Sequence, residues 1–217
     1  MNGQYLARME DVLALYELPY NEHYPVVCFD ERPCVLHGQV VEPLPMRANQ
    51  PQREDSWYIR NGTACLLVAF EALQGYRLVE VSATRCKSDY CRFMQQLAEC
   101  YPKAHKIRLV QDNLNTHSDS AFYEHLPAPQ ARLLAERFEF HYTPKKASWL
   151  NMVELELSAI ARSCLHQRLA DIEALQTQVS QLVKERNQRQ ATVHWQFTNT
   201  QAREKLNRHY QAVYKTN

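Results

Sequence analysis

Apolar residues come first in short runs and later at helical spacing, and that change of period predicts the order of elements. An amphipathic stretch from Met9 to Leu18 ends at Pro19. Pro25 to Asp30 (Pro-Val-Val-Cys-Phe-Asp) is short, β-branched and apolar at successive positions, which predicts a buried strand covered on both faces. Residues 41–56 hold Pro43, Pro45 and Pro51 among polar groups and predict a long loop. Thr63 to Ala72 is strand-like, Gln74-Gly75 is a turn, and Tyr76 to Val81 alternates polar and apolar as a half-buried strand does. Lys87 to Cys100 carries Tyr90, Phe93, Met94 and Leu97 at helical spacing and stops before Pro102. Lys106 to Val110 predicts a strand ending at Gln111-Asp112, and Ser118 to Phe138 a helix interrupted around Pro127 and Pro129. Phe138 to Tyr142 predicts a last strand closed by Pro144, followed by helices over Ser148–His166, Asp171–Arg189 and Thr200–Tyr214.

The predicted order, three strands and then helices alternating with two more, implies an α/β fold. Its expected form is a mixed five-stranded sheet, three antiparallel strands followed by β-α-β, with helices on both faces. Three segments are expected: a leader or linker helix over 1–22, the core over 23–166, and basic C-terminal helices over 167–217 packed on that core. With 217 residues, 45% hydrophobic and 23% charged, the chain suits one domain that needs no staple to fold. No apolar run approaches the ~20 residues of a membrane span and the N-terminus lacks a signal-peptide core, so a cytoplasmic location is expected. The seven cysteines are odd in number and form no C-x-x-C pair, which predicts reduced structural thiols. Nucleotide-loop, Rossmann, serine-hydrolase and zinc-protease motifs are absent. Net charge is only +1, yet residues from Ser158 onward carry +5 and the preceding ones −4, a division compatible with a polyanionic partner.

Three acids occupy chemically unusual places. Asp30 ends the first predicted strand and Asp112 follows the fourth, so strands lying side by side would bring the two carboxylates together. Such a pair is costly unless a cation relieves it. Glu154 sits on the shoulder of a helical stripe of Trp149, Val153, Leu157, Ile160 and Cys164 predicted to pack on the sheet. Three hard oxygen ligands suit Mg²⁺ or Mn²⁺ rather than zinc, and can hold two ions at a phosphodiester. Spacing alone leaves open that the aspartates are turn formers and that Glu154 is solvated.

The residues around these acids carry a resemblance. Phe-Asp-Glu at 29–31, Gln-Asp-Asn-Leu-Asn-Thr-His at 111–117 and Ser-Trp-Leu-Asn-Met-Val-Glu-Leu-Glu at 148–156 resemble the three acid motifs of one family. That family is the mariner-related group of bacterial insertion-sequence transposases, the DDE enzymes with a ribonuclease-H-like core similar to retroviral integrase. Arg-Asn-Gly-Thr-Ala at 60–64 and Trp-Gln-Phe-Thr at 195–198 with the basic helix behind it are similar too. The resemblance runs from about Arg8 to Tyr210. It implies Asp30, Asp112 and Glu154 as the metal-binding catalytic triad. It also implies Mg²⁺-dependent hydrolysis at transposon ends and attack of the freed 3′-hydroxyl on target DNA. Asn113, Asn115, His117 and Asn151 match flanking positions and are expected to orient the acids or touch the scissile phosphate, with a helix cap the other role open to His117. Glu31 and Glu156 are expected to be solvated or to support the acids.

Full-length relatives carry an N-terminal helix-turn-helix that recognises the element ends, whereas only the leader helix precedes Asp30. End recognition is therefore expected from a region supplied separately, and the chain from a trimmed domain, a second reading frame or a decayed copy. A homodimer on DNA is expected by analogy. Arg47 and Arg53 in the 41–56 loop are candidates to clamp a partner subunit or DNA, Trp57 and Tyr58 are expected to anchor that loop, and Lys145 and Lys146 are candidates to meet phosphates. The same acids would also serve a stand-alone nuclease, and the same surface a non-catalytic regulatory fragment.

Overall fold

The computed structural model describes residues 1–49, 53, 55–114 and 117–215. A first helix, α1 (Gly3–Tyr16), leads into the meander β1 (Val26–Gln39), β2 (Tyr58–Glu71) and β3 (Tyr76–Ser82). Then come α2 (Lys87–Cys100), β4 (Ile107–Gln111), α3 (Ser120–His125), α4 (Ala128–Glu136) and β5 (Phe138–Tyr142). A 3₁₀ turn (Ser148–Leu150) precedes α5 (Val153–Ser163), α6 (Ile172–Gln188), α7 (Asn199–Lys205) and α8 (Asn207–Lys215). The sheet runs β3-β2-β1-β4-β5, antiparallel among the first three strands in sequence and parallel from β1 to β4 to β5. This is the mixed five-stranded sheet expected from the order of patterns. No helix among the described residues is long and apolar enough to cross a membrane.

Side-chain alternation assigns each strand residue to a face. Val27, Phe29, Leu67, Ala69, Ile107 and Leu109 join α2, α3 and α4 in one core cluster. Cys28, Leu66, Val68, Phe70 and Val110 join α1, α5 and α6 in the other. Fully buried aromatic and aliphatic side chains of this kind each contribute roughly 1.5–3 kcal/mol. The leader helix is part of the second layer, with Met9, Val12 and Leu13 completely buried. All seven cysteines are free and five are buried, as small apolar packing units.

Three local expectations are corrected. Asp30 does not end β1, which runs nine residues further as a hairpin with β2. Beyond the last β1–β4 pair, Cys28 with Val110, only β2 covers the strand, so its extension is polar and lacks the apolar run that marks a buried strand. That open edge tolerates Pro33, and Gly62 at φ +110° absorbs the bulge where the register slips between Leu36 and His37. The predicted 148–166 helix breaks at Asn151, so Trp149 leaves the buried stripe, is 46% exposed, and stacks instead on Trp195 and Phe197. Trp57 anchors nothing in the core: it is 75% exposed at the base of the 41–56 segment, beside the exposed Tyr58 and Ile59.

Candidate active site

The parallel β1–β4 register sets Val26 against Arg108 and Cys28 against Val110. Continuing that offset by two residues brings Asp30 and Asp112 together just past the end of the β1–β4 pairing. Alternation puts both on the face of Cys28 and Val110, the face that α1 and α5 cover. There β4 has ended and β1 has lost its neighbour, so a crevice opens at the carboxyl ends of two parallel strands, the place where open α/β sheets bind ligands.

Helix α5 is fixed over this crevice by its first residues. The Asn151 side chain donates from Nδ2 to the Phe29 carbonyl at 2.8 Å, and the Tyr16 hydroxyl of α1 donates to the Leu150 carbonyl at 2.7 Å. Asn151 is only 2% exposed. It thus ties the start of the Glu154 helix to the residue before Asp30, a positioning role rather than a phosphate contact. Glu154, half-buried one turn on, donates its backbone N–H to the Asn151 carbonyl at 3.1 Å.

A cleft of about 350 Å³ is lined by Asp30, Asp112, Asn113, Lys145, Lys146 and Asn151, among others. The structure thus gathers both aspartates with the two candidate lysines, which are exposed at the mouth, and with the exposed Asn113. Glu154 stands beside this lining rather than in it, close enough for its charge to reach Asp30. Burial pushes the Asp30 carboxyl up to about 6; Asp112 and Glu154 push the same way, against the 2.7 Å hydrogen bond it accepts from the Glu31 N–H and the pull of His117. Asn115 lies outside the described residues. Arg47 and Arg53 are exposed in the distal loop, away from the cleft lining.

On the other face of the sheet, His117 is almost completely buried and bridges two acids. Its Nδ1 is hydrogen-bonded to Asp112 Oδ1, and its Nε2 lies 3.1 Å from Glu31 Oε1 as an ion pair outside hydrogen-bond geometry. Tyr90 stacks on the ring and Phe29 meets it edge-on. Burial opposes the imidazolium, but the bonds and charges of Asp112 and Glu31 win and raise its pKa to about 9. Glu31 is held below the usual carboxylate range against its own burial by His117 and Arg85.

Glu156 departs from expectation. It is neither solvated nor directed at the cleft: 1% exposed, it takes paired bonds from Arg77 (2.7 and 2.8 Å) and Arg186 (2.9 and 2.7 Å). Sequence reasoning missed this triad because Arg77 sits near the start of a strand whose alternation looks half-solvated, and no local spacing links it to residues 79 and 109 positions away. Arg186 here, and Arg203 with Glu10 at 2.7 Å, are spent on the protein itself, so the C-terminal excess of positive charge is only partly available to a partner.

Oxygen-only donors, with one carboxyl already resisting ionisation because it is buried and two other acids lie near it, are the chemistry that a hard divalent cation satisfies. Among the described residues no three His, Cys, Asp or Glu side chains are gathered closely enough to form a ready-made metal site.

A mixed sheet with this strand order and an acidic cleft where its parallel strands end defines a ribonuclease-H-like protein. Residues 25–176 match the DDE superfamily endonuclease family, and the chain belongs to it. Among solved structures, it is similar to the Mos1 mariner paired end complex with Mn (17% identity, TM-score 0.58, covering 88% of this chain and 59% of that one). The Mos1 strand transfer complex is similar at 16% identity and TM-score 0.58, covering 87% of this chain and 56% of the other. So is the Mos1 transposase paired-end complex with left transposon end, at 16% and 0.56, covering 88% and 59%. At these identities the likeness is one of fold, and the chain spans less than two thirds of each of those chains. No curated protein sequence matches it.

Proposed function

We propose that this chain is the catalytic core of a DNA transposase, cutting phosphodiester bonds at element ends and joining the freed 3′-hydroxyl to target DNA. The observation that carries the proposal is that Asp30 and Asp112 line one cleft where the β1–β4 pairing stops, with Glu154 near enough to perturb Asp30, in a chain of this family. Asp30, Asp112 and Glu154 would hold the divalent cations, two in number and Mg²⁺ or Mn²⁺, the latter being the ion named for the similar mariner complex. Such ions activate the attacking water or hydroxyl and stabilise the leaving oxygen. The chain's own groups do the positioning. Asn151 fixes the Glu154 helix to β1, His117 holds the Asp112 carboxylate, and Lys145 and Lys146 at the cleft mouth neutralise phosphates, with Asn113 beside them. The exposed hairpin with Arg47, Arg53 and Trp57 is the surface for a second copy or DNA, since paired ends require two copies; the division at residues 23–166 then marks the catalytic unit. Such a protein would work at DNA in the cytoplasm.

The test is nicking of supercoiled plasmid by the purified chain in Mn²⁺, alone and with an oligonucleotide end for strand transfer. Expected are nicks that EDTA and Asp112→Asn both abolish; cleavage that survives Asp112→Asn would overturn the assignment.

A further inference from the structure

A second, larger cavity of about 480 Å³ shares no residue with the acid cleft. It opens where the end of β2, the start of β3 and the segment after α2 meet. Glu71, the last residue of β2, is 4% exposed and lines it. The Tyr101 hydroxyl donates to Glu71 Oε2 at 3.0 Å, while Oε1 is buried with no hydrogen-bond partner. A buried acceptor left unmade costs about 1–3 kcal/mol, so this oxygen lacks a donor that something else must bring. The rings of Tyr76 and Tyr101 meet edge to face at 6.2 Å in the wall, and Tyr20 stands half-exposed at the rim.

The hollow is built rather than incidental. Gly75 turns the chain at φ +63°, and a Cβ there would stand 2.5 Å from the Gln190 carbonyl carbon. Asn187 brackets the next strand, donating to the Arg77 carbonyl and accepting from its N–H, both at 2.9 Å. Both contacts lock the cavity floor to the end of α6. Of the charged groups in the wall, Lys103 is paired with Glu22 at 3.0 Å, which leaves the Glu71 carboxylate without a cation.

An acceptor without a donor, an acid without a cation and three tyrosine rings together describe one ligand chemistry. We propose that this cavity binds a small aliphatic amine, its ammonium group on Glu71 Oε1 and its methylene chain against Tyr20, Tyr76 and Tyr101. Ammonium supplies both the missing donor and the missing charge, and aromatic faces favour cations. An anion would meet Glu71 and Glu22, and a neutral ligand would leave the acid uncompensated. Burial, only partly offset by the Tyr101 hydroxyl, pushes Glu71 up to about 7, the strain that a bound cation relieves.

Calorimetric titration of the full chain at pH 8 with butane-1,4-diamine, with butane-1,4-diol as the neutral control, tests this. Saturable one-site binding of the diamine and none of the diol is expected. Glu71→Gln should weaken binding at least about tenfold, as loss of a buried charge partner does. The amide still accepts from Tyr101 and carries no buried charge, so the variant should stay folded and melt at or above the wild-type temperature. Tyr20→Ala, on the rim, should weaken binding several-fold without touching the core. Asp112→Asn should leave amine binding intact, which separates this cavity from the catalytic proposal. No binding by the folded wild type, equal binding of the diol, full binding by Glu71→Gln, or loss in Asp112→Asn would each overturn the assignment.

Discussion

Asp30→Asn should stabilise the protein while destroying its cutting activity. The Asp30 carboxyl is raised from 3.8 to about 6, chiefly by burial and then by Asp112 and Glu154. Between those values the folded state holds a proton that the unfolded state has released, so stability falls as pH rises through the window. Above pH 6 the whole cost is present: about 2 pKa units at 1.36 kcal/mol each, or about 3 kcal/mol. Asparagine keeps the size and still accepts the Glu31 N–H that now bonds Asp30 at 2.7 Å, but it carries no charge. In EDTA at pH 8 the variant should therefore gain up to about 3 kcal/mol, and at pH 4.5 only about 1 kcal/mol. For a chain this long that is roughly 5–10 °C in melting temperature at the higher pH. Urea unfolding at both pH values reads the difference directly. Added Mg²⁺ should raise the wild-type midpoint and leave the variant's nearly still, because only a folded state that binds the ion gains from it. A variant that is destabilised at pH 8, or shifted equally at both pH values, would refute the electrostatic reasoning.

Two further outcomes follow from the ion networks beneath the cleft. Glu156→Gln strands the buried Arg77 and takes its partner from the half-buried Arg186, and should cost about 3–5 kcal/mol in urea unfolding. Replacing Glu156 by Leu together with Arg77→Met should cost clearly less than the sum of the single changes, and additivity in that cycle would show that the triad is not a unit. His117→Asn removes a group whose folded pKa of about 9 lies above its ordinary 6.5, so its stabilisation is complete below pH 6.5 and lost as pH rises through 9. The variant should lose about 3 kcal/mol at pH 6 and little at pH 9.5, and a pH-independent loss would show that ring packing on Tyr90 matters more than charge.

What the sequence made legible was whatever carries a local period or a local breaker. Val26 to Phe29, Leu66 to Phe70 and Ile107 to Val110 announce themselves as strands because both of their faces are covered, and Pro19, Pro102 and Pro144 mark the element ends. The meeting of Asp30 with Asp112 was legible too, because it needs only that β1 and β4 be neighbours. The far half of β1 was not, since only alternate positions such as Cys34 and Leu36 are buried there, among polar residues that leave no continuous apolar run. Nor were the partners of Glu156 and the bridge of His117 to Glu31, because both join residues that are distant in sequence and meet only through tertiary packing. The break at Asn151 was hidden for a third reason: its side chain bonds the sheet rather than its own helix, a tertiary contact that overrides the helical period around it.

Sheet parity ties these pieces to the chemistry. Asp30 and Asp112 point to the α1/α5 face while Glu31, one residue on, points to the α2/α3 face, and the His117 ring joins Asp112 to Glu31 across that division. Glu31 is satisfied by His117 and Arg85, and Glu156 by Arg77 and Arg186. Each acid adjacent in sequence to a cleft acid, or two residues from one, is thus neutralised, and each such pair braces an element that carries the cleft. Among the described residues neither Asp30 nor Glu154 has an ion-pair partner, although arginines stand within the same layers. A fold that needed only stability would have paired these two as it paired their neighbours. Leaving them bare costs the protein about the 3 kcal/mol that Asp30→Asn should return, the retained cost expected of the cation site proposed above.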